Sequence, residues 1–136
     1  MFALVEKHHR SLDQIEQKLT ARPNQSRYVK AELTGVGAYM IAVGHHVSGT
    51  FDETFFCAAI EKLMARHEAL RTRFEISDRV LAVVDQHPAY QFHLCTTKPQ
   101  SLAEFRHWAL PLVFDDVDPR TPGSLVRFLV ADMGSS

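Results

Sequence analysis

Cysteine is scarce, with only Cys57 and Cys95 in the chain. A disulfide framework of the kind that holds small secreted domains together needs more, so both are expected as buried, reduced thiols. Charge of one sign is also lacking. A formal net charge of −1 produces no field that would collect nucleic acid or an anionic membrane. No apolar run approaches the roughly 20 residues of a membrane-spanning helix. The opening residues, Met1 to Arg10, lack the basic-then-apolar order of a signal peptide. These absences lead to the expectation of a cytoplasmic chain. Glycine-rich phosphate loops and the Gly-x-Ser-x-Gly turn of serine hydrolases are missing as well, which leaves nucleotide binding and serine hydrolysis without support. His8 and His9 are neighbours on an expected first helix and diverge there by about 100 degrees, and His67, His87, His93 and His107 are scattered. No metal site is expected from such spacing.

The chain does have alternating elements over 136 residues, enough for one core. Phe2, Val5, Leu12, Ile15 and Leu19 recur at steps of three, four or seven, which predicts an amphipathic helix over residues 1–21, docked on its own domain or on a neighbouring protein. Pro23 and Asn24 end it. A short amphipathic piece over residues 25–33 is followed by glycines, and an apolar strand is expected from Tyr39 to Val47. Thr50 and Glu53 have capping-box spacing and open a helix with Phe56, Ile60, Leu63, His67 and Leu70 along one face. A hairpin around Ser77-Asp78, a strand over residues 92–96, a helix capped by Ser101 and Glu104, an aperiodic loop and a final strand ending at Ala131 complete the pattern. In that last strand, Arg127 is the one charge to place. One α+β unit follows, an α/β sandwich with helices on one side of a mostly antiparallel sheet.

The densest cluster of ionisable residues is Arg66-His67-Glu68-Ala69-Leu70-Arg71-Thr72-Arg73-Phe74, at the junction of a helix and a strand. Physics leaves two readings open. Basic side chains suit the negative end of a helix and can stay solvated there. Alternatively, Arg71 turns towards the sheet, where a buried guanidinium requires a carboxylate or several carbonyls.

The order Arg-His-Glu-x-Leu-Arg-Thr-x-Phe resembles the second core motif of condensation domains of nonribosomal peptide synthetases, matched at Arg66, His67, Glu68, Leu70, Arg71, Thr72 and Phe74. Gln25 and Arg27 resemble a remnant of the first core motif, in which Arg22, Asn24 and Val29 depart from the usual serine, alanine and tryptophan. Phe114-Asp115 and residues 122–131 are similar to the stretch that leads towards the active site of that family.

The resemblance implies a partial N-terminal lobe of the chloramphenicol acetyltransferase-like fold over residues 22–136. It also implies an amide-forming parent enzyme that joins acyl groups held on the phosphopantetheine of carrier proteins, with no cofactor bound directly. The His-His-x-x-x-Asp-Gly motif of that chemistry is absent, so the chain alone is expected to be inactive, with no catalytic residue of its own. Arg71 would be the salt-bridge partner of that motif's aspartate, a support residue. His45-His46 mimics the motif but stands before the second core motif and has the wrong spacing, so strand packing or surface exposure is expected. Two alternatives remain: a non-catalytic docking module acting through the first helix, or a fragment of a coenzyme A-dependent acyltransferase of the same superfamily. Expected partners are carrier proteins, neighbouring synthetase modules and the remainder of the domain. Self-association is a further expectation, through the apolar strand of residues 125–131.

Overall fold

A computed structural model describes residues 3–7, 15–35, 40–115 and 117–134. The fold is α+β. Two strands come first, β1 (Ala3–Lys7) and β2 (Ile15–Thr20), followed by α1 (Pro23–Leu33) and α2 (Glu53–Arg66). A 3-10 turn (Glu68–Arg71) leads into β3 (Thr72–Ile76), β4 (Val80–Asp85) and β5 (Tyr90–Cys95). The chain finishes with α3 (Leu102–Phe114) and β6 (Arg127–Ala131).

The strands form two three-stranded sheets, ordered β1-β5-β6 and β2-β4-β3. Three of the pairings are antiparallel, and β5–β6 is parallel. A parallel pair cannot close with a tight turn and needs a crossover, which α3 supplies. Helices cover both faces of this sheet, where one face was expected. On one side α2 places Cys57, Ile60 and Met64 against Tyr90 and Phe92, with Phe128 and Val130 packed on them. On the other, Trp108 and Ala109 of α3 pack with Cys95, Leu129 and Ala131. The reason lies in β6, whose successive residues are apolar and so need cover on each face. This arrangement leaves every residue of the strand half-buried. A third cluster joins Ala21, Val29, Phe74, Val80 and Ala82 on the other sheet.

Two elements differ from the sequence pattern. The helix expected over residues 1–21 is replaced by strands at Ala3–Lys7 and Ile15–Thr20, while Phe2, Leu12 and the His8-His9 pair lie outside the described residues. Pairing decides the outcome: β4 offers an open edge to β2, in register from Leu19 opposite Ala82 to Thr20 opposite Leu81. The 3.6-residue spacing of a few apolar side chains is a weak preference beside a full ladder. The strand expected from Tyr39 to Val47 is likewise not formed; residues 40–48 carry neither helix nor ladder, and Tyr39 lies outside the described residues. Strand-like composition does not make a strand without a neighbour to bond.

Caps hold the helices in place. Asp52, rather than Thr50, caps α2 by accepting the Phe55 amide at 2.9 Å. Ser101 caps α3 as expected, accepting the Glu104 amide at 3.2 Å. No described helix is long and apolar enough to cross a membrane.

Candidate functional site

The junction of α2 with β3 is built around a buried arginine. His67 closes α2, its amide donating to the Leu63 carbonyl, and its own carbonyl accepts the Leu70 amide across the 3-10 turn. Thr72 Oγ1 donates to the Glu68 carbonyl at 2.8 Å, which ties the turn to the start of β3. This tight reversal aims Arg71 inward.

Only 5% of the Arg71 side chain is exposed. Nε donates to the Met64 carbonyl at 2.9 Å and Nη2 to the Ala65 carbonyl at 3.4 Å. Nη1 donates to the Asp85 carbonyl at 2.5 Å and to Glu16 Oε2 at 2.6 Å. Carbonyls from the last turn of α2 thus receive the cation, as their unpaired position at a helix end invites. Of the two readings left open, burial with a carboxylate and several carbonyls is the one that occurs.

Beside it, Arg73 is also buried and pairs with Asp85 at 3.1 Å and Glu75 at 3.2 Å. Glu75 in turn binds Lys18 of β2. Burial raises the Asp85 carboxyl, an effect that the neighbouring Arg73 opposes. The hydrogen bond from Lys18 holds the Glu75 carboxyl below the usual carboxylate range.

Of the motif residues, Phe74 enters the core and its amide donates to the Pro119 carbonyl at 2.8 Å. Arg66, His67 and Glu68 are exposed. The motif is therefore divided: Arg71, Thr72 and Phe74 build the fold, and Arg66, His67 and Glu68 face outward. Gln25 and Arg27 stand apart from it on α1. Gln25 Oε1 accepts the Arg22 amide at 2.9 Å and caps the helix, and the Arg27 guanidinium lies 5.4 Å from the centre of the exposed Tyr28 ring. His45 and His46 are exposed, in a segment that is not a strand. Cys57 and Cys95 are free and buried, as expected.

A cavity of about 10 Å³ adjoins Arg71, Arg73, Asp85, His87 and Gly123. It holds a single water at most. A thioester on a phosphopantetheine arm has no room there, so what this cluster can do chemically is fix the helix–strand junction. Among the described residues no group of three His, Cys, Asp or Glu side chains can hold a metal ion.

Glu16, Arg73 and Asp85 were missed in the sequence. Glu16 belongs to a segment with helical spacing, so nothing local placed it beside Arg71. Arg73 and Glu75 had a usable signal, since residues two apart on a strand share a face. No family model matches the chain, and no curated protein matches it significantly.

Proposed function

We propose that this chain is the N-terminal part of a condensation domain of a nonribosomal peptide synthetase, a cytoplasmic enzyme that forms amide bonds between carrier-bound thioesters. One observation carries the reading: Arg71, the arginine of the Arg-His-Glu-x-Leu-Arg-Thr-x-Phe motif, is a buried cation held by carbonyls of three residues. A guanidinium so anchored is suited to holding a carboxylate in a fixed place. In a condensation domain that carboxylate would be the aspartate of His-His-x-x-x-Asp-Gly, and Glu16 accepts from Arg71 here. The second histidine of the motif would act on the attacking amine, as an imidazole near neutrality can. The docking-module alternative rested on an N-terminal helix, and the described residues there form strands at Ala3–Lys7 and Ile15–Thr20.

The test begins with the coding sequence beyond Ser136. His-His-x-x-x-Asp-Gly is expected within about a dozen residues, the length of an ordinary loop and strand. The protein that includes it should then join acyl groups from two loaded carrier proteins, and Arg71→Ala should lower that rate. A stop codon directly after Ser136, or no amide product from the longer protein, overturns the proposal.

A further inference from the structure

Four hydrogen bonds hold the Arg71 guanidinium, and they differ in kind. Three run to carbonyls of Met64, Ala65 and Asp85, which the end of α2 and β4 keep in place. The fourth runs from Nη1 to Glu16 Oε2 at 2.6 Å, and it alone ends on a side chain. Glu16 reaches Arg71 from an irregular point of β2. The register against β4 shifts between Ile15, opposite Asp85, and Gln17, opposite Val84, so Glu16 is the extra residue. A bulge of this kind bends the strand and re-aims the side chain it carries. The Arg71 side chain is 5% exposed and that of Glu16 45%, so one end of the pair is anchored and the other opens to solvent. Space around the cation limits what else can bind. A guanidinium has five N–H donors; the bonds above use four, and the remaining Nη2 hydrogen belongs to a side chain that is almost wholly buried. The cavity of about 10 Å³ beside Arg71 is too small for a carboxylate.

We infer that Arg71 is a carboxylate-binding site whose resident ligand is Glu16, and that a further carboxylate binds there only by taking the place of Glu16. The exchange costs little on the Glu16 side, because solvent screens an exposed carboxylate and weakens its pair. The carbonyls keep the guanidinium in position throughout, so the incoming group meets a fork already set for it. In the proposed condensation domain, on which reading this step alone rests, the incoming group is the aspartate of His-His-x-x-x-Asp-Gly, and its arrival releases Glu16 from Arg71.

Thermal unfolding of the full 136-residue chain in sodium formate, at neutral pH and against sodium chloride of equal ionic strength, tests the site. Formate is a carboxylate with no other group to place. Glu16→Ala should lower the midpoint by about 3 °C, and formate should restore at least about half of that loss, levelling off as the place fills. The parent sets the baseline for general salt effects. Glu16→Gln, whose amide oxygen still accepts from Arg71, should respond to formate as the parent does. Circular dichroism checks that the variants fold, and Glu16→Ser replaces Glu16→Ala if the latter does not. No formate-specific gain in the alanine variant overturns the inference. An equal gain in the glutamine variant or in the parent overturns it too, since the formate would then act elsewhere. The readout needs no catalysis, which separates it from the enzymatic reading: a formate response in a chain whose longer form makes no amide keeps the carboxylate site and removes that reading, and the reverse result removes the site alone.

Discussion

Arg71 donates to carbonyls of Met64, Ala65 and Asp85 and to one carboxylate, and these partners do not contribute equally. Glu16 is 45% exposed at its side chain, so solvent screens its share of the pair. The carbonyls are fixed by the helix end and by β4, and losing the guanidinium would leave them without a donor. Arg71→Ala is therefore expected to cost about 3 kcal/mol, and Glu16→Gln no more than about 1 kcal/mol. Urea unfolding of the two variants measures the difference, and equal costs would mean that the ion pair, not the carbonyl cradle, holds the junction. Acid separates the neighbouring carboxylates. The Glu75 carboxyl is lowered chiefly by Lys18, so its contribution is present above the ordinary glutamate value and is lost as pH falls through the lower folded value. Asp85 is raised by burial, so its contribution has the opposite sign and grows as pH falls. Lys18→Met removes most of the first effect and leaves the second. The variant should lose less stability than the parent between neutral pH and pH values below the carboxylate range, as followed by urea midpoints; an unchanged pH profile would remove Lys18 from the account.

At the scale of elements, the loop of residues 117–126 joins the two sheets. The Phe74 amide of β3 donates to Pro119, and the Gln91 amide of β5 donates to Val126. Gly123 makes the close approach possible: its φ is +77°, and a Cβ there would sit 2.9 Å from the backbone of Ala89 and Tyr90. Gly123→Ala combines left-handed strain with a clash against backbone, and is expected to destabilise by about 2–3 kcal/mol. Gly35→Ala shares the positive φ but meets nothing within 4 Å among the described residues, so its cost should be near 1 kcal/mol. Thermal unfolding of the pair checks the contrast. Elements with local signals were legible in the sequence: the Ser77-Asp78 hairpin, the Ser101 cap and the apolar run of β6 are each written in neighbouring residues. Elements decided by distant pairing were not. Whether residues 15–20 form a helix or a strand depends on β4, more than 60 residues away in sequence. At the candidate site, Arg71, Thr72 and Phe74 were found by motif, and Arg127 was recognised as a charge needing a place. That place, the Leu112 carbonyl at 2.7 Å near the end of α3, is set by tertiary packing alone.

Among the described residues of the whole molecule the buried apolar side chains fall into three clusters rather than one, which raises the question of whether it unfolds as a unit. The cluster around Phe74 belongs to β3 and β4, and the cluster around Phe92 belongs to β5, β6 and α2. Adjacent residues of one loop enter both, Leu125 packing on the first and Val126 on the second. The 3-10 turn adds a further link, because Leu70 joins the Phe92 cluster while Arg71 binds the end of β4 and Glu16 of β2. Neither cluster can therefore lose its packing without pulling on the junction that holds the other. Phe92, 2% exposed, and Phe74, 8% exposed, are suitable probes, and each alanine variant should cost about 3–5 kcal/mol. Both should lower the same single transition, with circular dichroism and the fluorescence of Trp108 in the third cluster moving together. If Phe74→Ala instead gives an early step seen by circular dichroism but not by Trp108, the two sheets unfold independently and the 117–126 loop does not couple them.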